Sequence, residues 1–266
     1  MKLGVVGKGG VGKTTVAAVL ARAYADRGRR VVAIDTDSNP NLGVSLGLSM
    51  PETEAIPVLP RSLLVGSNGE TTAQELIDQY GRNTPAGVKL LSAIRVTQAG
   101  AGCTCGGHAT VRSFLGQVLS EQADITVVDM EAGLEHLSRS GGTLADADVL
   151  LVVMEPSRKS VITAARTRVL AEELGIPQTY GLGNKAHLPG DAEFFAELCA
   201  AHDVPLVGVL PYDPSVSEAD RAGTASSGTE ALHLELDRVI SYLDNLAVDG
   251  DRYGPVAGGR APARPA

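Results

Sequence analysis

Nine residues, GKGGVGKTT from Gly7 to Thr15, constrain this chain more than any other stretch. They follow an apolar, β-branched run, Leu3–Val6. They precede a segment in which Val16, Val19, Leu20 and Ala23 fall on one helical face before Gly28 ends it. A glycine-rich turn between a strand and a helix lets backbone N–H groups turn inward on an anion, and the helix adds its positive N-terminal end. Gly7, Gly12, Lys13 and Thr14 have the spacing of a phosphate-binding P-loop. On this reading the backbone of Gly9, Gly10, Val11 and Gly12 and the start of the helix, with Thr15, cradle the phosphates of a nucleotide. Lys13 reaches the β- and γ-phosphates, and the Thr14 hydroxyl sits on Mg²⁺.

The rest of the 266 residues alternates strand and helix signals. Further strands are expected at Val31–Ile34, Leu90–Ile94, Ile125–Val128, Val149–Met154, Thr179–Leu182 and Leu206–Leu210, and helices at Val111–Gln122, Ser160–Leu174 and Asp191–His202. Apolar residues make up 44% of the chain, aromatics only 3%, and Trp is absent, so the core is built of Val, Leu, Ile and Ala. That palette suits a parallel sheet buried on both faces. The expected fold class is therefore α/β, a P-loop NTPase with a mostly parallel sheet flanked by helices on both faces. Residues 1–247 read as one domain. Within them 51–83 is less regular and looks like an insertion with one helix candidate, Ala73–Tyr80. Thr229–Leu246 reads as a closing helix and 248–266 as a disordered tail with almost nothing to bury.

The net charge of −8 opposes nucleic-acid phosphate, and no Lys/Arg run overrides it. The longest strongly apolar run, Val149–Met154, is far too short to span a bilayer, and the closing helix is acidic where a membrane-targeting helix is basic. Neither nucleic acid nor membrane is expected as a partner. The N-terminus reads as a strand rather than a signal peptide, and three cysteines read as reduced thiols, which together point to a cytoplasmic protein.

Two carboxylates end apolar strands: Asp35 in DTDSNPN and Asp129 in VVDMEAG. Ligands of open α/β sheets bind at such strand ends. Asp129 is read as the Mg²⁺ partner, through water, and Asp35 as support for the metal shell. Asp37 also fits an N-cap for the turn that follows it. In YGLGNKAHL, Asn184 and Lys185 are candidates for the base site; Asn184 also fits a strand-end turn.

The second lysine of the loop, Lys8, resembles the mark of the deviant Walker A family, which includes septum-positioning and plasmid-partition ATPases and the nitrogenase iron protein. The resemblance implies a homodimer in which Lys8 crosses to the partner's nucleotide. It implies that Lys8, Lys13 and Asp37 carry catalysis, with Asp37 orienting the attacking water, and that Gly133 senses the γ-phosphate. GTPases of this type follow Asn-Lys with one residue and then an Asp. Here His187 holds that place, which favours ATP. Pro211 and Asp213 in LPYDP resemble the loop that flanks adenine.

Three stretches, DMEAGLEHLSRS from Asp129, VVMEPSRKS from Val152 and Cys103-Thr-Cys105, together resemble the CooC-type ATPases that help load nickel into carbon monoxide dehydrogenase. The resemblance implies an ATP-hydrolysing maturation factor with that metalloenzyme, or one like it, as client. Two cysteines supply only two sulfurs, whereas a closed thiolate site takes four ligands; a twofold dimer repeats the pair and completes it. Thiolates suit Ni²⁺ and Zn²⁺ alike, so the metal across the dimer stays open. Cys199, with apolar neighbours at helical spacing, reads as core. Two rival readings share the P-loop. One is a positioning-type ATPase acting by surface or partner binding. The other is an electron-transfer ATPase with a bridging cluster, whose second cysteine has no counterpart between Asp129 and Leu198.

Overall fold

The computed structural model describes residues 1–59, 73–93, 123–130, 144–225 and 228–252. The elements, in chain order, are β1 (Lys2–Gly7), α1 (Lys13–Asp26), β2 (Val31–Asp35), α2 (Leu42–Ser45), α3 (Met50–Glu54), α4 (Ala73–Tyr80), β3 (Arg82–Asn83), β4 (Lys89–Ser92), β5 (Ile125–Asp129), β6 (Val149–Met154), α5 (Arg158–Glu173), β7 (Gln178–Ala186), α6 (Asp191–Ala201), β8 (Leu206–Pro211), α7 (Pro214–Ala222) and α8 (Glu230–Arg252). The eight strands form one sheet in the order β3-β4-β2-β5-β1-β6-β7-β8. Every pairing is parallel except β3 with β4 at one edge. The expected α/β P-loop fold with a mostly parallel sheet is the fold observed.

Alternation along each strand sorts the core into two layers. Leu3, Val5, Val31, Ala33, Val127 and Leu151 face α1 and α8, which contribute Val16, Leu20, Tyr24, Leu236 and Val239. Val6, Val32, Ile34, Val128, Leu150 and Val152 face the other way, toward Val161 and Ala164 of α5 and Phe195 of α6. Strands buried on both faces read as unbroken apolar runs, which is why β6 is Val149–Met154 at both ends, as expected. β1, β2, β5, β7 and β8 extend the expected runs by one to a few residues, β7 as far as Ala186, whereas β4 starts one residue early and ends at Ser92, short of the expected Ile94.

The polar edge strand β3 carries no such signal, since both its residues are exposed. Within 51–83, α4 has its expected bounds, and Ile56, Leu59, Leu76 and Ile77 are buried in the two main cores. The closing helix departs from expectation: α8 runs to Arg252 and takes in 248–252, which the sequence reading gave to the tail. A helix once nucleated extends at little cost per residue, even through polar sequence. Residues 253–266, the helix expected at Val111–Gln122 and the end of the strand expected at Leu90–Ile94 lie outside the described residues.

β1 sits near the centre: on one side the chain runs out through β2 to β4 and returns to insert β5 between β1 and β2, and on the other it winds outward through β6, β7 and β8. A sheet of this topology opens a crevice at the carboxyl ends of its strands, where the order reverses. If α8 is a full member of this core, Leu236→Ala should cost about 2–5 kcal/mol in urea unfolding, with one cooperative transition, because the fully buried side chain leaves a cavity against the sheet.

Candidate functional site

The crevice over β1 is occupied by the glycine loop. The loop leaves β1 at Gly7 (φ 148°), where any Cβ would strike the carbonyl oxygen of Val153 in β6. It ends at Gly12 (φ 94°), the N-cap of α1, where a Cβ would lie 2.5 Å from Asn184 Nδ2. Glycine is required at both ends, by left-handed backbone and by close approach. No side chain caps α1, so its first N–H groups face the crevice with the positive end of the helix behind them.

Side chains from β7 fix the loop from beneath. Asn184 Nδ2 donates to the Val11 carbonyl at 2.9 Å, and Lys185 Nζ to the Gly10 carbonyl at 2.6 Å. Lys185 adopts φ 61°, uncommon for a non-glycine residue, to reach it. Lys13 is buried, and its Nζ donates to the Lys8 carbonyl at 3.2 Å. The Lys8 side chain itself is exposed and makes no hydrogen bond or ion pair among the described residues. Asn184 and Lys185 therefore hold carbonyl groups of the loop, and the loop's N–H groups remain for an anion.

Beside the loop, Asp35 ends β2 and Asp129 ends β5. They are direct register partners, and each is 1% exposed. Asp35 Oδ1 accepts from the Asp37 N–H and Oδ2 from the Leu42 N–H, both at 3.0 Å. The Thr14 side chain hydrogen-bonds the Asp129 carboxyl, but Asp129 Oδ1 has no partner among the described residues. Burial pushes Asp35 up to about 6, against the hydrogen bonds from Asp37 and Leu42. Burial also lifts Asp129 well above the usual carboxylate range, and the neighbouring Asp35 lifts it further, while Thr14 and Lys13 pull the other way. A buried oxygen without a donor, a second carboxyl beside it and the Thr14 hydroxyl are the hard oxygen set that suits Mg²⁺, whose charge would reverse the penalty on both acids.

Asp37 is half-buried, and its Oδ1 accepts from the Asn39 N–H at 2.8 Å. The turn-capping geometry expected of it is thus present. Thr36 was not singled out from sequence. Its hydroxyl donates to the Asp129 carbonyl at 2.8 Å and clamps the ends of β2 and β5 together.

A cleft opens on the β8 side of the loop, bordered by Gly12, Thr15, Asn184, Lys185, Pro211 and Asp213. The structure thus brings the expected base-site residues together. Asp213 contributes shape rather than a free carboxylate: Oδ1 accepts from Ser215 N at 2.9 Å and Ser215 Oγ at 2.7 Å, and Oδ2 from Thr229 N at 2.6 Å. Burial acts to raise its pKa, but these bonds outweigh it and hold the group below the ordinary value. Asp213 is the N-cap of α7 with Pro214 behind it, a start signal legible in Asp-Pro. Cys103, Cys105 and Gly133 lie outside the described residues.

Residues 5–226 match the family model for the CobQ/CobB/MinD/ParA nucleotide-binding domain. The chain is a P-loop ATPase of the MinD/ParA/CbiA/CooC superfamily. It is 38% identical over 237 residues to the carbon monoxide dehydrogenase accessory protein CooC of Rhodospirillum rubrum, covering 84% of this chain and 88% of that one. In fold it is similar to the cell division ATPase MinD of Pyrococcus furiosus (TM-score 0.68, 21% identity, 92% of this chain and 98% of that). It is also similar to cobyrinic acid a,c-diamide synthase of Mycobacterium smegmatis, solved with ADP and magnesium (TM-score 0.66, 19% identity, 98% and 99%). As a member of this superfamily the chain binds and hydrolyses ATP with Mg²⁺. Among the described residues no group of three or more His, Cys, Asp or Glu is arranged to hold a metal ion on its own, and no helix is long and apolar enough to cross a membrane.

Gly12→Ala should lower ATP affinity by about tenfold or more, measured by calorimetry, while the protein still folds. A Cβ at φ 94° strains the loop and displaces Asn184 from the Val11 carbonyl.

Proposed function

We propose that this ATPase is a nucleotide-driven switch that acts through partner binding: ATP favours a homodimer, and hydrolysis releases it. The observation that carries the reading is Lys8, which offers an unpaired ammonium at the mouth of the phosphate loop while its own carbonyl is held by Lys13. A cation so placed serves a second nucleotide better than its own. Likeness in fold to a cell division ATPase supports the same reading.

In the hydrolytic step, water attacks the γ-phosphorus, the bond to the β–γ bridging oxygen breaks, and ADP leaves with that electron pair. Such transfers are catalysed by positioning and charge stabilisation rather than by covalent chemistry. Lys13 and the N–H groups of Gly9 to Thr15 hold the phosphates, and Asp37 turns from its cap on Asn39 to orient the water. Thr14 and Asp129, with Asp35 supporting the shell, would hold Mg²⁺, which would supply positive charge against the phosphates. Gly133 senses the γ-phosphate. Asn184, Lys185, Pro211 and Asp213 shape the adenine site.

A second reading concerns what the switch delivers, and the 38% identity to CooC favours it. Here the dimer brings together Cys103 and Cys105 of both chains as four thiolates for one Ni²⁺ or Zn²⁺, handled on behalf of a metalloenzyme such as carbon monoxide dehydrogenase. Nickel is cargo in this reading. The two readings part on one measurement, metal content of the purified protein with and without ATP. One metal per dimer, lost in Cys103→Ser/Cys105→Ser but kept in Cys199→Ser, supports metal handling. No metal in either state, with ATP-dependent dimers intact, leaves the switch without metal cargo.

Two expectations test the switch itself. Asp37→Ala should keep ATP binding and lose most turnover in a phosphate-release assay; wild-type turnover removes Asp37 from the reaction. Lys8→Ala should bind ATP yet stay monomeric in analytical ultracentrifugation, and an unchanged association profile defeats the trans-lysine reading.

A further inference from the structure

One polar group next to the site has no use in the reaction so far. Ser92 closes β4, is 1% exposed, and among the described residues its Oγ has no hydrogen-bond partner. A buried hydroxyl left unpaired is uncommon and costs stability.

Its position is fixed by the sheet. Ser92 is the register partner of Asp35, and Asp35 is the register partner of Asp129. Two residues back along the same strands, Leu90, Ala33 and Val127 share one core layer on the α1 side. Side chains two apart on a strand share a face, so Ser92, Asp35 and Asp129 form one polar row along that face at the carboxyl edge of the sheet. The backbone of Ser92 is locked: its carbonyl accepts from Leu59 N at 2.9 Å, and the next N–H, of Ala93, donates to the Asp35 carbonyl at 2.9 Å. Only the hydroxyl can turn.

We infer that Ser92 is a positioning residue for ATP hydrolysis: its hydroxyl turns to donate to the Asp35 carboxylate when nucleotide and its cation occupy the site. The need arises within the row. A cation beside Asp129 Oδ1 pulls on the adjacent Asp35 as well, and Asp35 also holds the Asp37 and Leu42 N–H groups. Any drift of Asp35 therefore shifts the backbone that carries Asp37. A donor to an ionised carboxylate makes a charge-assisted bond, about twice as strong as a neutral one, and so resists that drift. The unpaired hydroxyl is then a cost borne by the nucleotide-free protein for rigidity in the loaded one, a pattern expected at functional sites.

The inference rests on reading Asp35 and Asp129 as the carboxylates of the nucleotide site, and the test separates the two. In Ser92→Ala, ATP-saturated kcat should fall about tenfold, the size expected for one lost bond to a charged group. ATP affinity should fall too, because the bond forms only in the loaded protein, while the melting temperature of the nucleotide-free protein should be unchanged or higher, because removing an unsatisfied buried hydroxyl relieves a penalty. A purely structural serine cannot give a lower kcat in a protein that is no less stable. The inference is overturned if kcat stays within about twofold of wild type, or if its loss comes with a lower melting temperature of the nucleotide-free protein. Asp129→Asn is the separate control: wild-type turnover there defeats the carboxylate reading itself, whatever Ser92→Ala does.

Discussion

Asp35 and Asp129 lie side by side on neighbouring strands, both sealed from solvent, with one oxygen of the pair left without a donor. A buried like-charge pair is unfavourable in isolation, since burial and mutual repulsion both oppose ionisation. It persists because the sheet around it gives the residues no alternative. β2 and β5 are buried along their whole length, and Thr36 ties their ends through the Asp129 carbonyl. A one-residue slip of either strand would turn its carboxylate into the opposite layer, among Ile34 and Val128, and put core valines at the crevice. Correct register is thus enforced by apolar burial, and the acids ride on it.

The glycine loop completes the site by being held on its carbonyl side. Asn184 and Lys185 bond to Val11 and Gly10, Lys13 bonds to Lys8, and the Cβ-free ends of the loop press on β6 and β7. A short loop has few backbone groups, and securing the acceptors leaves the donors converging on one point. Preorganisation of this kind contributes rate because the donors need no rearrangement as charge develops on the γ-phosphoryl group.

What could be read in advance follows from what leaves a local trace. The P-loop was legible because glycine spacing and helical periodicity meet within Gly7 to Ala23. The parallel strands were legible because burial on both faces makes them apolar runs. β3 was not, being two exposed polar residues defined only by pairing with β4. α7 was not, because none of its residues is fully buried and its apolar side is carried by little more than Val216; its Asp-Pro start was read as part of the adenine loop. Ser92 was invisible for a different reason. A serine at the end of an apolar run has no distinguishing neighbour in sequence, and only the register against Asp35 gives it one. Asp213 shows the converse: the resemblance singled it out, and only the structure shows its carboxylate engaged with Ser215 and Thr229 at the border of the cleft.

The two halves of the sheet divide the labour around β1. On one side β2, β5 and β4 end in Asp35, Asp129 and Ser92, which on the proposed reading serve the phosphate and cation end of a nucleotide. On the other, β7 and β8 end in Asn184, Lys185 and Pro211, which border the base cleft. The β7 residues also brace the phosphate loop at Val11 and Gly10. On the proposed reading the γ-phosphate, the part that differs between ATP and ADP, faces the acidic half. The chain continues from Ser92 directly into the segment that holds Cys103 and Cys105, and from Asp129 within four residues to Gly133. Both segments that the family resemblance ties to dimer contacts and γ-phosphate sensing therefore begin beside the side chains that the proposed reading places at the reacting phosphate. No long-range wire is needed for the state of the nucleotide to reach them: the covalent chain itself is the link, anchored at one end by a buried carboxylate row that tolerates almost no displacement.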